Sequence, residues 1–290
     1  MEKTYQYLKL RFAGLTTNQI YKLLLHAPSF LEESIKEQII LFKRFLLNIN
    51  CRNKFLIYNK FTNYSIEALG YSLLKNHIHF VGIHQHAYPA LLREIYNPPV
   101  ILFYKGNLQM LSTQKTLAVI GSRNATQYTK QSLSLLFPYF KAQNLCIVSG
   151  LARGADCIAH QLALQNGLPA IAVLGFGHKQ HYPKQTFEIR QQIEQIGIVI
   201  SEYLPDEPPK KYHFPERNRI ISGLSKGVLI TESTERSGTL ITTEHALEQN
   251  RNVYVLPGTI FDPLVRGNLK SAQEGAKIVI KASDILEDFI

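Results

Sequence analysis

Cysteine is scarce. The 290 residues contain three, Cys51, Cys146 and Cys157, with no CxxC pair. An odd and scattered set fits neither a disulfide framework nor a zinc framework. Cys146 lies in an apolar strand-like run and Cys157 in a helix-like one, where a free thiol serves as a small core residue. No apolar run approaches the roughly 18 residues needed to cross a bilayer, so no membrane span is expected. The opening Met1-Glu2-Lys3-Thr4-Tyr5 has no basic stretch leading into an apolar one, so no secretory leader is expected. The expected compartment is the cytoplasm.

Signatures of nucleotide and metal chemistry are also missing. No GxxxxGK[ST] string occurs, which disfavours a P-loop ATPase. Gly175-Phe176-Gly177 runs on into His178-Lys179-Gln180 and breaks the dinucleotide fingerprint. His77/His79 and His84/His86 are spaced like metal pairs, but no carboxylate or cysteine nearby completes a set. No nucleophile is accompanied by a base. The expectation is a protein without cofactor, metal or catalytic centre.

What is present is a well-stocked core and an excess of positive charge. Hydrophobic residues make up 45% and charged residues 19%, which excludes intrinsic disorder. The length suits one large domain or two unequal ones. The formal net charge of +10 favours a polyanionic partner. Residues 1–90 are the more basic part, with 11 Lys/Arg against 5 Asp/Glu. There Leu8, Phe12 and Leu15, then Ile20, Leu23 and Leu24, fall at helical spacing. Gly14 with Thr16-Thr17-Asn18 predicts a turn and an N-cap between two helices. Ile39 to Leu47 predicts another helix.

Further on, Ile78–Ile83 and Val100–Tyr104 read as strands that extend a following sheet. From Lys115 the rhythm is strand, helix, strand. The predicted strands are Thr116–Ile120, Leu145–Val148, Ala170–Leu174, Ile198–Ser201, Val228–Thr231, Val253–Leu256 and Lys277–Ile280. Continuous apolar runs imply strands covered on both faces. The predicted fold class is therefore α/β: a Rossmann-like, doubly wound, mostly parallel sheet with a small N-terminal helical domain. In such sheets ligands bind beyond the carboxyl ends of the strands.

Unusual residues gather at those ends. One strand closes on Gly121-Ser122-Arg123-Asn124. The next closes on Ser149-Gly150-Leu151-Ala152-Arg153-Gly154-Ala155-Asp156 and enters a helix. Small residues let backbone N–H groups approach an anion, and a helix start adds partial positive charge. Arg123 and Arg153 suit phosphate oxygens. The plainer alternative is tight turns and surface salt bridges. After the Ile198–Ser201 strand, Lys210-Lys211-Tyr212-His213-Phe214-Pro215 runs on through Arg217, Asn218 and Arg219. Basic groups neutralise phosphates, and exposed rings stack on unpaired bases. Pro215 biases Phe214 towards extended backbone, so a loop-borne ring is expected; a core-filling Phe214 is the alternative. Ser237-Gly238-Thr239 opens a further helix, as an anion site or a simple N-cap.

These residues resemble the DNA-processing protein A (DprA, or Smf) family. The likeness rests on Tyr88-Pro89-Ala90-Leu91-Leu92, Pro98-Pro99, Gly106-Asn107, Gly121-Ser122-Arg123 and the Ser149–Asp156 string. It continues through Tyr182-Pro183, Ser201-Glu202-Tyr203, Phe214–Ile221, Ser237–Leu240 and Pro257-Gly258. The resemblance implies a homodimeric single-stranded-DNA-binding recombination mediator that protects incoming strands during natural transformation. It further implies help in loading RecA recombinase, without nucleotide hydrolysis. By motif match Gly121, Ser122, Arg123, Ser149 and Gly150 would hold phosphates, with Arg153 and Lys184 as further contacts. Lys211 would lie beside the stacking Phe214, and Arg217, Asn218 and Arg219 would line the same groove. The expected organisation is a helical domain of SAM or helix-hairpin-helix type at 1–75 and an extended Rossmann-like domain at 76–290. Many relatives carry a C-terminal winged helix; none is expected here.

The competing reading is a phosphoribohydrolase-like enzyme on the same fold. That class needs a carboxylate where this sequence has Thr242, and the nearest acid, Glu244, comes two positions late. A module sensing a small nucleotide is the third possibility.

Overall fold

The computed structural model describes residues 2–289. Five helices come first: α1 (Glu2–Ala13), α2 (Thr17–His26), α3 (Ile35–Asn48), α4 (Lys54–Asn63) and α5 (Ile66–Lys75). Gly14, with φ of 112°, turns the chain after α1. Thr16 then caps α2 in a reciprocal box: its hydroxyl accepts from Gln19 N, and Gln19 Oε1 accepts from Thr16 N. Ser34 and Ser65 cap α3 and α5 from one side only, each hydroxyl accepting a single backbone N–H. The helices close on Phe30, Phe42 and Phe61, the last two with ring centroids 4.2 Å apart. Val100, Ile101 and Phe103 complete that core, so the helical part is seated on the edge of the sheet.

The remaining elements are β1 (His79–Gly82), α6 (Ala90–Arg93), β2 (Ile101–Gly106), β3 (Thr116–Ile120), α7 (Gln127–Ala142), β4 (Cys146–Ser149), α8 (Ala155–Gln165) and β5 (Ala170–Leu174). They continue with α9 (Phe187–Ile196), β6 (Ile198–Ser201), α10 (His213–Gly223), β7 (Gly227–Ile230), α11 (Gly238–Glu248), β8 (Asn252–Val255), α12 (Arg266–Gln273), β9 (Lys277–Ile278) and α13 (Ser283–Leu286). The nine strands form one sheet in the order β1-β2-β6-β5-β4-β3-β7-β8-β9. Strands β3 to β9 pair in parallel, while β1 and β2 join antiparallel at the β6 edge. The expected strands are all present. The last one is short, because Ile280 N and Lys281 N turn away to Asp284 Oδ2.

Alternate residues of each strand feed two separate cores. Leu117 and Val119 pack under Leu133, Phe137 and Phe140 of α7 and Ala159 of α8. Ala118 and Ile120 pack on the other side with Ile220 and Ile221 from α10 and with Leu224 at its C-cap. This is the doubly wound arrangement. The chain moves outward from β3 to β6, then returns to place β7 on the other side of β3. The switch therefore falls between β3 and β7, where helices leave the sheet in opposite directions and a crevice opens.

Among the described residues no helix is long and apolar enough to cross a membrane, and no group of three or more His, Cys, Asp or Glu side chains could hold a metal ion.

Candidate nucleic-acid interface

The crevice at the switch point is a groove of about 450 Å³. Gly121, Ser122 and Arg123 leave β3 along one side; Lys211, Phe214, Arg217 and Asn218 come from the approach to α10 and from α10 itself. Ser237, Gly238 and Thr239 open α11 on the remaining side. A narrow notch adjoins it, bordered by Arg123, Gly150, Arg153, Tyr182 and Phe214. Phe214 and Arg123 belong to both and stand on the divide.

The β3 end is pinned from the neighbouring strand. Glu232, fully buried just beyond β7, takes Thr126 N at 2.8 Å and the Thr126 hydroxyl at 2.7 Å, and also accepts from Thr129. Its own carbonyl accepts from Ser122 N at 2.7 Å. Gly154 has φ of 74°, and a Cβ there would overlap the Ser122 and Arg123 backbone. The two turns therefore pack against each other with no space for a side chain. Asn268 of α12 reinforces the site from beneath, its amide 2.9 Å from the Thr231 and Leu256 carbonyls at the ends of β7 and β8.

Helices α8, α10 and α11 start at the groove, and at none of them does a side chain close the N-terminus. Ser237, at the start of α11, has a buried hydroxyl without a partner, and Gly238 faces open space. Unsatisfied N–H groups and aligned helix dipoles favour an anion there. Around them Arg123, Arg153, Lys184 and Lys211 are exposed, and among the described residues none enters an ion pair. That disposes of the salt-bridge alternative for the two arginines.

Phe214 sits in the first turn of α10, not in a loop. Pro215 is tolerated because the N–H it lacks would have had no partner in a first turn. The ring is half-buried. It rests against the bare backbone of Gly175, where a Cβ would come within 3.0 Å of Cδ1. The Arg123 guanidinium lies 5.5 Å from the ring centroid, and the Tyr182 ring 5.9 Å away.

Five expected contact residues are placed differently. Ser149 is fully buried and donates its hydroxyl to Val119 O at 2.6 Å, while Gly150 N is taken by Asp156 Oδ2 at 3.1 Å. Neither donor is free for a phosphate. Arg217 borders the groove but its guanidinium is buried, bonded to Gly150 O at 2.6 Å and to Val173 O. Burial pulls its pKa down and pushes the nearby Asp156 carboxyl up, each opposed by the other's charge. Arg219 points to the far side of α10 and pairs with buried Glu202. The reason is helical geometry: residues two apart lie about 200° apart around the axis, so 217 and 219 cannot share a groove. Lys184 is exposed one residue beyond Pro183, outside the lining of groove and notch.

Sequence reading missed Thr126, Glu232 and Asn268 as organisers of the site, since their partners lie up to 106 residues away. It also missed the start of α10 as a helix N-terminus, and Tyr182 as the ring beside Phe214.

The geometry defines an α/β protein with a cation-rimmed, ring-bearing groove at the switch point of a doubly wound sheet. Residues 79–290 match the family described as DNA recombination-mediator protein A, and the chain belongs to that family. The DNA processing protein DprA of Streptococcus pneumoniae is 40% identical over 98% of both chains. That of Bacillus subtilis is 40% identical over 73% of this chain and 71% of its own. An X-ray structure of the S. pneumoniae protein superposes with a TM-score of 0.85, covering 98% of this chain and 97% of that one. A Helicobacter pylori DprA structure, whose subject is its single-stranded DNA binding mode, gives 0.66 at 27% identity, covering 73% and 96%.

Proposed function

We propose that the groove binds single-stranded DNA and that the protein acts as a recombination mediator on it. In this reading the strand's phosphates meet Arg123, Lys211 and the open starts of α10 and α11, while one base stacks on Phe214. Arg153 extends the contact along the notch, and the exposed Lys184, just outside the notch lining, is a further phosphate contact. The observation that carries the reading is the Arg123–Phe214 pair on the divide between groove and notch, ringed by cations that no acid neutralises. A base reaching the ring displaces the guanidinium towards the adjoining phosphate, so one residue pair handles both halves of a nucleotide. Duplex DNA cannot do this, because its base faces are stacked away.

The mediator role consists in holding and protecting the strand and helping RecA to load, with a homodimer as the working unit. Residues 76–290 form the DNA-binding unit and 1–75 an attached helical one. No acid–base pair supports a hydrolase: Asp156 is the one carboxylate among the described groove residues, and it is engaged by backbone N–H groups. Glu244 is exposed on α11, away from the groove lining.

A gel shift comparing single- and double-stranded oligonucleotides at two salt concentrations tests the binding. Preference for the single strand, weakening steeply with salt, is expected. Phe214→Ala should weaken binding by about 1–3 kcal/mol with little change in salt dependence, since stacking releases no counterions. Unchanged affinity in that variant refutes the stacking role. Faster RecA nucleation on the bound strand is the expected sign of loading.

A further inference from the structure

The segment that brings Lys211 to the groove has a second side. Lys211, Phe214 and Pro215 line the groove, whereas Lys210, Tyr212, His213 and Glu216 border a larger cleft of about 780 Å³. This cleft lies between the helical part and the sheet. Its opposite wall carries Arg11 from α1 and Lys60 and Tyr64 from α4 and its end.

Tyr212 is 56% exposed, yet its ring is held firmly. His213 meets it edge-on, with centroids 4.7 Å apart at 83°, and His213 in turn stacks on Tyr203 at 4.0 Å and 25°. The column is anchored below: His213 Nδ1 is 3.2 Å from Gly175 O, and the Tyr203 hydroxyl is 3.1 Å from the His213 carbonyl. Beside the outer ring stands Lys210, its Nζ 5.7 Å from the centroid. A cation over a supported aromatic ring is the same pairing as Arg123 over Phe214, repeated two residues earlier and facing the other way.

The cleft also holds donors without partners. Arg11 is 8% exposed and spends its terminal nitrogens on Leu15 O and Glu202 O, which leaves Nε unbonded. Nη1 of Arg219 is likewise buried and unbonded. The carboxylates along the walls are already engaged. Glu202 is held by Arg219 and Thr17, Asp206 by Lys179, and Glu207 by Lys210; Glu216 lies against the Tyr203 hydroxyl.

We infer that Tyr212 is a second base-stacking platform, and that a single strand leaving the groove crosses the Lys210–Tyr212 segment into the cleft between helical part and sheet. The inference rests on the groove being a single-strand site. It gives the basic helical part a purpose: the wall bearing Lys60 receives the nucleotides that the groove is too small to hold. Phe214 and Tyr212 then grip bases on opposite sides of one short segment, like two rollers guiding a tape.

The test is a ladder of single-stranded oligonucleotides from about 5 to about 30 nucleotides, measured by fluorescence anisotropy on the full chain. Wild type, Tyr212→Ala, Tyr212→Phe, Lys60→Glu and Phe214→Ala are compared, with thermal melts to verify folding. Tyr212→Ala should match wild type on the shortest oligonucleotide that binds and lose about 5-fold or more on the longest. Tyr212→Phe should retain the ring's contribution, and Lys60→Glu should flatten the gain with length. If Tyr212→Ala follows wild type at every length while Phe214→Ala loses binding, the inference falls and the groove reading stands. Equal weakening at all lengths also overturns it, as damage to α10. Saturable quenching of Tyr212 by free thymidylate without any length effect would assign the cleft to a mononucleotide instead. Failure of wild type to bind any oligonucleotide removes the groove reading itself.

Discussion

Arg123 and Arg217 come from equally basic-looking motifs and do opposite things. Arg123 is exposed over the Phe214 ring, free to meet a phosphate. Arg217 is buried with its charge spent on the carbonyls of Gly150 and Val173, beside Asp156. Counterion release should therefore separate them. Arg123→Ala and Lys211→Ala should each weaken oligonucleotide binding and reduce the salt slope by about 1. Arg217→Ala should instead destabilise the fold by about 3–5 kcal/mol, because it strands a buried carboxyl and two carbonyls. Urea melts and binding isotherms at several salt concentrations check both halves. A full-sized slope change with undiminished stability in the Arg217 variant would reverse the assignment.

Among the elements, the turn after β3 depends on the strand beside it more than on its own sequence. Glu232 holds Thr126 and Thr129 at the head of α7, and its carbonyl holds Ser122 N. Glu232→Ala should cost roughly 2–4 kcal/mol, since it leaves buried donors unpaired. Because Arg123 then loses its fixed position, oligonucleotide binding should drop too, although Glu232 never lines the groove. Retained affinity in a folded Glu232→Ala protein would show that the loop holds its shape unaided. The helix α10 makes a related point. Its first turn was concealed in the sequence by Pro215, whose usual effect on the preceding residue is to favour extended backbone. Here tertiary packing of Phe214 against Gly175 outweighs that local bias, and the ring is presented from a rigid helix start.

At the scale of the whole molecule, two histidines were shut in without their protons. Burial holds His160 down to about 4 and His178 down to about 3, and both imidazoles are fully enclosed or nearly so. Above the unfolded value of 6.5 neither state binds these protons, and the histidines cost nothing. As pH falls below that, the unfolded chain takes up protons that the folded one refuses, so stability falls. Near pH 5 the loss is about 2 kcal/mol for each histidine. Asp156, its pKa raised by burial, acts in the opposite direction and offsets part of this. Thermal midpoints at about pH 7.5 and about pH 5 should differ, the acidic one being lower, and His178→Gln should narrow the gap. A midpoint that rises or holds steady on acidification would contradict the buried-neutral assignment.

The parallel sheet, its strands and the strand ends where the groove opens were all legible in the sequence. Runs such as Thr116–Ile120 and Ala170–Leu174 have no polar face to turn outward, so they can only be covered on both sides. Arg123, Lys211 and Phe214, which line the groove, were also legible, because a strand end and a cluster of basic and aromatic residues are written in adjacent positions. Which cations stay free is settled by packing between distant parts of the chain. Whether Arg217 or Arg219 faces the groove depends on the phase of α10, and whether a donor is already satisfied depends on carbonyls and carboxylates far along the chain. Those partners are brought together by packing, not by proximity in sequence, and an arginine's charge is available only where packing has left it unpaired.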